Sequence, residues 1–380
     1  MYMVMSVLII LSKIPYNIAY ESIMFVCFYL AQLIYLDRYS QVCFNNFKIY
    51  ERFGIMHLLG TNIVFWFEIV VYDTKEDYYD SHYPEDYPTC SLRDDLENND
   101  LLSYISTAKV YVGAFAVEYC LIAVCLLRSM WSNVGRAVTR RNTKNISKRT
   151  YPVMESLYGI IGGVLVLSVI IALGVCMFIK ICPLCLYYIQ IMSCIYGFIC
   201  LFSFTGVLNT NILDKGEGEG CQILEGFSSS VLYDGVLLLF CFSLFILQTM
   251  YKTLSAIIQY KITHLNHGYT LLFITFSLYF FSSISQTLLI IIWQTHSIDR
   301  SRQHRLSKNL LIFLTITNFA MWIGGHYELK LGQFFFKSEA DLYGKFMWYI
   351  IHHITGPFQI LYFFHSSVCL FEIWTLFGSV

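Results

Sequence analysis

The chain has 380 residues, of which 57% are hydrophobic and only 13% charged, with 31 phenylalanines, 29 tyrosines and a formal net charge of −1. A soluble domain carries about 25% charged residues, so composition excludes one. Near-neutral charge also excludes the basic footprint of a nucleic-acid binder.

Apolar runs fall near 2–17, 20–37, 52–72, 107–128, 156–179, 185–207, 230–250, 269–293, 309–325 and 343–376. They have roughly the length a bilayer demands, and they lack the short alternating pattern of a barrel. The expected fold class is all-α, a polytopic helical membrane protein of about ten transmembrane helices. The first run has no basic segment before it, so it reads as a mature membrane segment rather than a cleavable leader.

Three segments orient the bundle. Residues 38–52, 128–150 and 294–308 are basic, the second with seven Lys or Arg and no acid. Alternation puts them on one side, which is cytoplasmic by the positive-inside rule. The acidic segment 73–106 and residues 326–342 then face outside. The chain divides into 1–150, an incomplete N-terminal helical half with a basic cytoplasmic loop, and 151–380, a C-terminal six-helix half.

Polar groups inside apolar runs are the candidates for chemistry. The third run holds His57, Asn62 and Glu68. Asn62 is interhelix glue or a pathway-facing amide. Glu118 sits mid-run with no basic residue within a turn, as functional intramembrane acids do. Asp234, near a helix start, is a dipole-complementing acid or a pathway group. Gln286 and Asn318 are central amides. His352 and His353 precede Gly356-Pro357, where a break or kink is expected. His365 and Glu372 lie seven residues apart, close to two helical turns, and should share a face. In two outer segments, His82 lies among acids and His326 precedes Glu328. Either histidine is simply solvated, or the two hold extracellular zinc.

Other motifs carry little. Cys182-Pro-Leu-Cys185 has no second pair, so zinc or redox chemistry is disfavoured. The glycine-rich stretch from Gly216 to Gly220 has acids and no lysine, so it would repel phosphate. No motif argues for an enzyme, and no cofactor is expected.

Several runs together resemble the otopetrin family of proton channels. They are RFGIMHLLGTNIVFW at 52–66, EYCLI from Glu118, NFAMW from Asn318, WYIIHHITGP at 348–357 and YFFHSSVCLFEIW at 362–374. They resemble family helices five, six, eleven and twelve, so the ten runs correspond to helices three to twelve of a twelve-helix fold. The resemblance implies a proton-selective channel of the plasma membrane, assembled as a homodimer in membrane lipid. It further implies opening by extracellular acid, modulation by zinc and a cytoplasmic C-terminus. Glu118, His365, Glu372, His353, Asn318, Asn62, His57 and Gln286 are its candidate proton pathway. Two departures stand out. Phe363 occupies a position where the family usually has arginine, and run 185–207 lacks the family's acid, with Gln190 nearest. The competing readings are a proton-coupled solute transporter and a non-conducting subunit paired with a longer paralogue.

Overall fold

A computed structural model describes residues 16–39, 47–82, 100–135, 151–178, 184–208, 229–262, 267–295, 305–335 and 337–376. Ordered structure there is helical: α1 (Tyr16–Tyr39), α2 (Lys48–His82), α3 (Asp100–Asn133), a 3-10 turn (Met154–Ser156), α4 (Leu157–Phe178) and α5 (Leu184–Leu208). There follow α6 (Ser229–Ile262), α7 (His267–Thr295), α8 (Arg305–Phe335), the short α9 (Lys337–Tyr343) and α10 (Lys345–Leu376). Among the described residues, seven helices are long and apolar enough to cross a membrane. The protein is an all-α polytopic membrane protein. The run at 2–17 lies almost wholly outside the described residues.

Several helices outrun their apolar cores. At 35 residues α2 is about 52 Å long, against a hydrocarbon core of ~30 Å. Segments 73–82 and 326–335, expected as outer loops, are therefore helical extensions.

The chain forms two compact units, Met1–Arg141 and Asn142–Val380. In the first, α2 and α3 lie along each other and α1 touches α3. Ala123, Leu127, Met130 and Val134 recur at helical spacing on α3 and bury against Ile55 and Leu36.

In the second unit, α4, α8, α10, α6, α7 and α5 follow one another around a six-helix bundle, with α5 returning to α4 and α8. Small residues set its tightest seam. A Cβ on Gly159 would fall 2.1 Å from the Asn309 carbonyl oxygen, and one on Gly163 would fall 2.7 Å from Ile316. Close backbone approach of this kind drives helix association where lipid offers no hydrophobic drive. The start of α4 is pinned from two sides. Asn309 accepts from the Gly159 amide at 2.8 Å and donates to the Glu155 carbonyl at 2.9 Å, while Lys308 pairs with the Glu155 carboxylate. Trp374 donates to Ser156 Oγ at 3.0 Å and stacks on Tyr151.

The break expected at Gly356-Pro357 does not occur, and α10 runs unbroken through Pro357. Proline removes one helix bond, to the His353 carbonyl. Every residue from Thr355 to Phe363 is buried, so packing on neighbouring helices supports the helix through the defect. The glycine that does end a helix is Gly344, at φ +82°, in the left-handed turn between α9 and α10.

Candidate functional site

The polar core of the second unit is assembled from α7, α8 and α10. Gln286 and Asn318 are essentially fully buried and bond each other twice. Gln286 Nε2 donates to Asn318 Oδ1 at 2.8 Å, and Asn318 Nδ2 donates to Gln286 Oε1 at 3.1 Å. The second hydrogen of Asn318 Nδ2 goes to the Leu314 carbonyl at 2.7 Å. The two amides thus form a closed latch between α7 and α8.

Tyr362 completes the cluster from α10. Its hydroxyl donates to the Ser283 carbonyl at 3.0 Å and shares a bond with Thr287 Oγ1 at 2.9 Å. Gln286 acts electrostatically on this hydroxyl, whereas Ser366 Oγ is buried without a hydrogen bond. One turn away, Ser367 donates to the Thr315 carbonyl at 2.9 Å. Three helices therefore meet through hydroxyls and amides, none of which carries charge. An aromatic wall lies beside them. Phe245 stacks on Tyr362 at 5.0 Å and meets Tyr279 at 4.7 Å and Phe363 at 5.6 Å. Phe363 is buried there, so the position for which the resemblance implies arginine belongs to the apolar wall.

His365 lies one turn beyond Tyr362 on α10 and is buried. Its Nε2–H donates to the Asp234 carbonyl at 2.9 Å, and Cys369 Sγ lies 3.6 Å from the same nitrogen. In that tautomer Nδ1 keeps its lone pair and can take up a proton. The imidazole also acts electrostatically on the half-buried Asp234 carboxyl. Amide latch, tyrosine, histidine and aspartate thus succeed one another toward the start of α6.

The remaining candidates fall elsewhere. Glu372 shares the helical register of His365 but is exposed, on the open side of a last turn whose Ile373 and Trp374 are buried. The expected common face is thus buried at one residue and open at the other. His353 is buried, against Tyr349 and His352, within the packed part of α10 rather than beside a break. In the first unit Asn62 is fully buried and donates to the Leu58 carbonyl at 2.8 Å, and Glu118 is buried on α3. His57 is exposed on α2, on a different side from Asn62. His326 is not in an outer loop: it is buried in α8, edge-on to Trp322 at 5.4 Å. The side chain of His82 lies outside the described residues, and no group of three metal-ligating side chains occurs among them.

Sequence reasoning passed over Tyr362, Thr287, Ser283 and Ser366. Part of their signal was present as Ser283, Gln286 and Thr287 at i, i+3 and i+4, which marks one polar stripe on an apolar helix. It also missed Lys252 and Glu339, both buried at 1% exposure near the cluster of Ala256, Phe276, Ala340 and Trp348.

The sequence profile of the otopetrin family matches residues 5–93 and 87–364. The chain belongs to the otopetrin family. Among curated relatives, proton channel OtopLc of Drosophila melanogaster is 22% identical over 88% of this chain and 24% of its own length. Proton channel OTOP1 of Danio rerio is 22% identical over 90% of this chain and 70% of its own length. Proton channel OTOP3 of Homo sapiens is 23% identical over 89% and 64% respectively. This otopetrin thus spans about a quarter of the fly relative and 70% of the zebrafish one.

Proposed function

We propose that this otopetrin conducts protons passively across a membrane, with Gln286, Asn318 and Tyr362 forming the narrow point of its C-terminal bundle. The observation that carries the reading is that latch: side chains of three helices closed on one another at full burial, in a chain whose relatives are named proton channels. Amides do not titrate, so a proton passes them only along water admitted between the two side chains. The closed pair is then the resting form. Beyond it, His365 accepts the proton on Nδ1 and hands it toward Asp234.

Glu118 and Asn62 supply the corresponding buried acid and amide of the N-terminal unit, and His353 lies on the approach to the latch. Glu372 and His57, both exposed, are peripheral to the route. The reading includes a plasma-membrane homodimer opened by outer acid, with its C-terminus in the cytoplasm. Zinc, where it acts, does so from outside through His82 with partners other than the buried His326.

The test is proton current under an acid bath step. His365→Gln keeps a hydrogen-bonding side chain but cannot take up a proton, so it should cut current with surface expression unchanged. Parent-like current in that variant removes His365 from the route. No current from the chain alone, with altered current on co-expression with a longer family member, favours the subunit reading.

A further inference from the structure

We propose that the corner where α2 begins and α3 ends binds the phosphate headgroup of an anionic phospholipid. The proposal is independent of conduction. Six residues converge there, from the start of α2 and the end of α3 with the turn after it. Arg52 donates through Nη2 to the Val134 carbonyl at 3.1 Å, so it caps the end of α3. Its guanidinium lies 5.3 Å from the ring centre of Trp131, and that of Arg128 lies 4.8 Å from the same ring. The next residue after Val134 is Gly135, at φ +82°, and the Lys48 side chain lies across it. A Cβ there would meet Lys48 Cδ at 3.1 Å and Nζ at 3.5 Å.

Lys48, Arg52 and Arg128 are all exposed at this corner. The two guanidinium carbons are at most about 10 Å apart, because both sit over one indole. Like charges held this close favour an anion between them. Arg52 spends one of its five N–H donors on Val134, and the planar fork of arginine suits phosphate oxygens. The positive end of the α2 dipole points into the same corner, with the Glu51 amide already bonded to the Phe47 carbonyl at 3.1 Å. Glu51 is the acid of that turn. It is half-buried and acts on Tyr35, and it leaves the corner with a net positive charge.

The position argues for a lipid rather than a soluble anion. The membrane-crossing segment of α2 begins at Lys48, so the cations mark its headgroup boundary, where indoles such as Trp131 also settle. The adjoining large apolar side chains of α2, namely Ile49, Phe53 and Met56, are exposed and would lie along the acyl chains. Basic clusters at helix ends on the cytoplasmic side recognise anionic headgroups in this way.

The experiment is native mass spectrometry of the purified full chain in detergent, titrated with phosphatidylserine or with phosphatidylcholine. Phosphatidylserine should be retained in preference, and added salt should weaken it. Each basic residue near an anionic lipid contributes roughly fivefold in affinity. Lys48→Gln, which leaves the stacked arginines and the Val134 cap in place, should weaken phosphatidylserine about fivefold, and adding Arg128→Gln about twenty-fivefold. Thermal melting of both variants checks that the fold survives. Equal retention of the two lipids, or unchanged affinity in the double variant, overturns the proposal. So does full competition by free phosphoserine, because a lipid site must also use the acyl chains.

Discussion

Asn318→Ala tests the latch most directly. The substitution removes two mutual bonds of 2.8 and 3.1 Å and leaves the Gln286 amide buried. Interhelical hydrogen bonds in membrane proteins average ~0.6 kcal/mol and reach ~1.7. Stranding a buried partner costs about 1–3 kcal/mol. The single variant should therefore lose about 1–3 kcal/mol of stability, read as a shift in its unfolding equilibrium in detergent. Replacing both amides, as Gln286→Leu with Asn318→Leu, removes both needs at similar volume and should be closer to neutral. With the single variants Gln286→Leu and Asn318→Leu completing the cycle, coupling of about 1–3 kcal/mol is expected. Flux into proteoliposomes separates the two variants again. Asn318→Ala leaves space and a polar amide for water, so proton flux at neutral pH should rise. The leucine pair is dry, so flux through this bundle should stop. Additive stability losses, or flux unchanged in both variants, would refute the latch.

Two further outcomes follow from the seams around it. Gly159→Ala puts a methyl group 2.1 Å from the Asn309 backbone oxygen, so α4 and α8 must separate. A loss of about 1–3 kcal/mol is expected, read by the same unfolding assay. Trp374→Phe keeps the ring beside Tyr151 but loses the 3.0 Å bond to Ser156, and should cost only about 0.5–1.5 kcal/mol, with flux unchanged.

Helices were legible because the bilayer imposes a length on apolar runs, and nine of the ten expected runs coincide with helices in the structure. Their ends were not legible, since a helix does not stop where the apolar run stops. Lys252 lies two residues past the run that ends at 250, and Glu339 lies in a segment expected as outer loop. Both are buried, because α9 folds onto α6 and α10 and is tied there by Tyr343 donating to the Tyr251 carbonyl at 3.0 Å. No run length encodes that return. The same limit explains His326, which the sequence places just beyond the span at 309–325 and the structure buries one residue further along α8.

Gln286 and Asn318 were each legible as isolated polar residues, yet 32 positions separate them, so only the fold reveals that they complete each other. That pairing changes the chemistry they can do. Apart, each amide would hold a water in place. Together, they satisfy one another and exclude it. The uncharged latch can gate a proton but cannot sense acid, because neither amide changes charge with pH. Any acid dependence must therefore arise at a titratable group joined to the latch through side-chain contacts. Tyr362 touches Gln286, and His365 lies one turn away on the same helix and bonds the start of α6. Protonation of His365 would charge a ring already held against the Asp234 carbonyl, pulling on α10 at the point from which Tyr362 reaches the amides. In that reading gate and sensor are different residues on different helices, the amides on α7 and α8 and the histidine on α10.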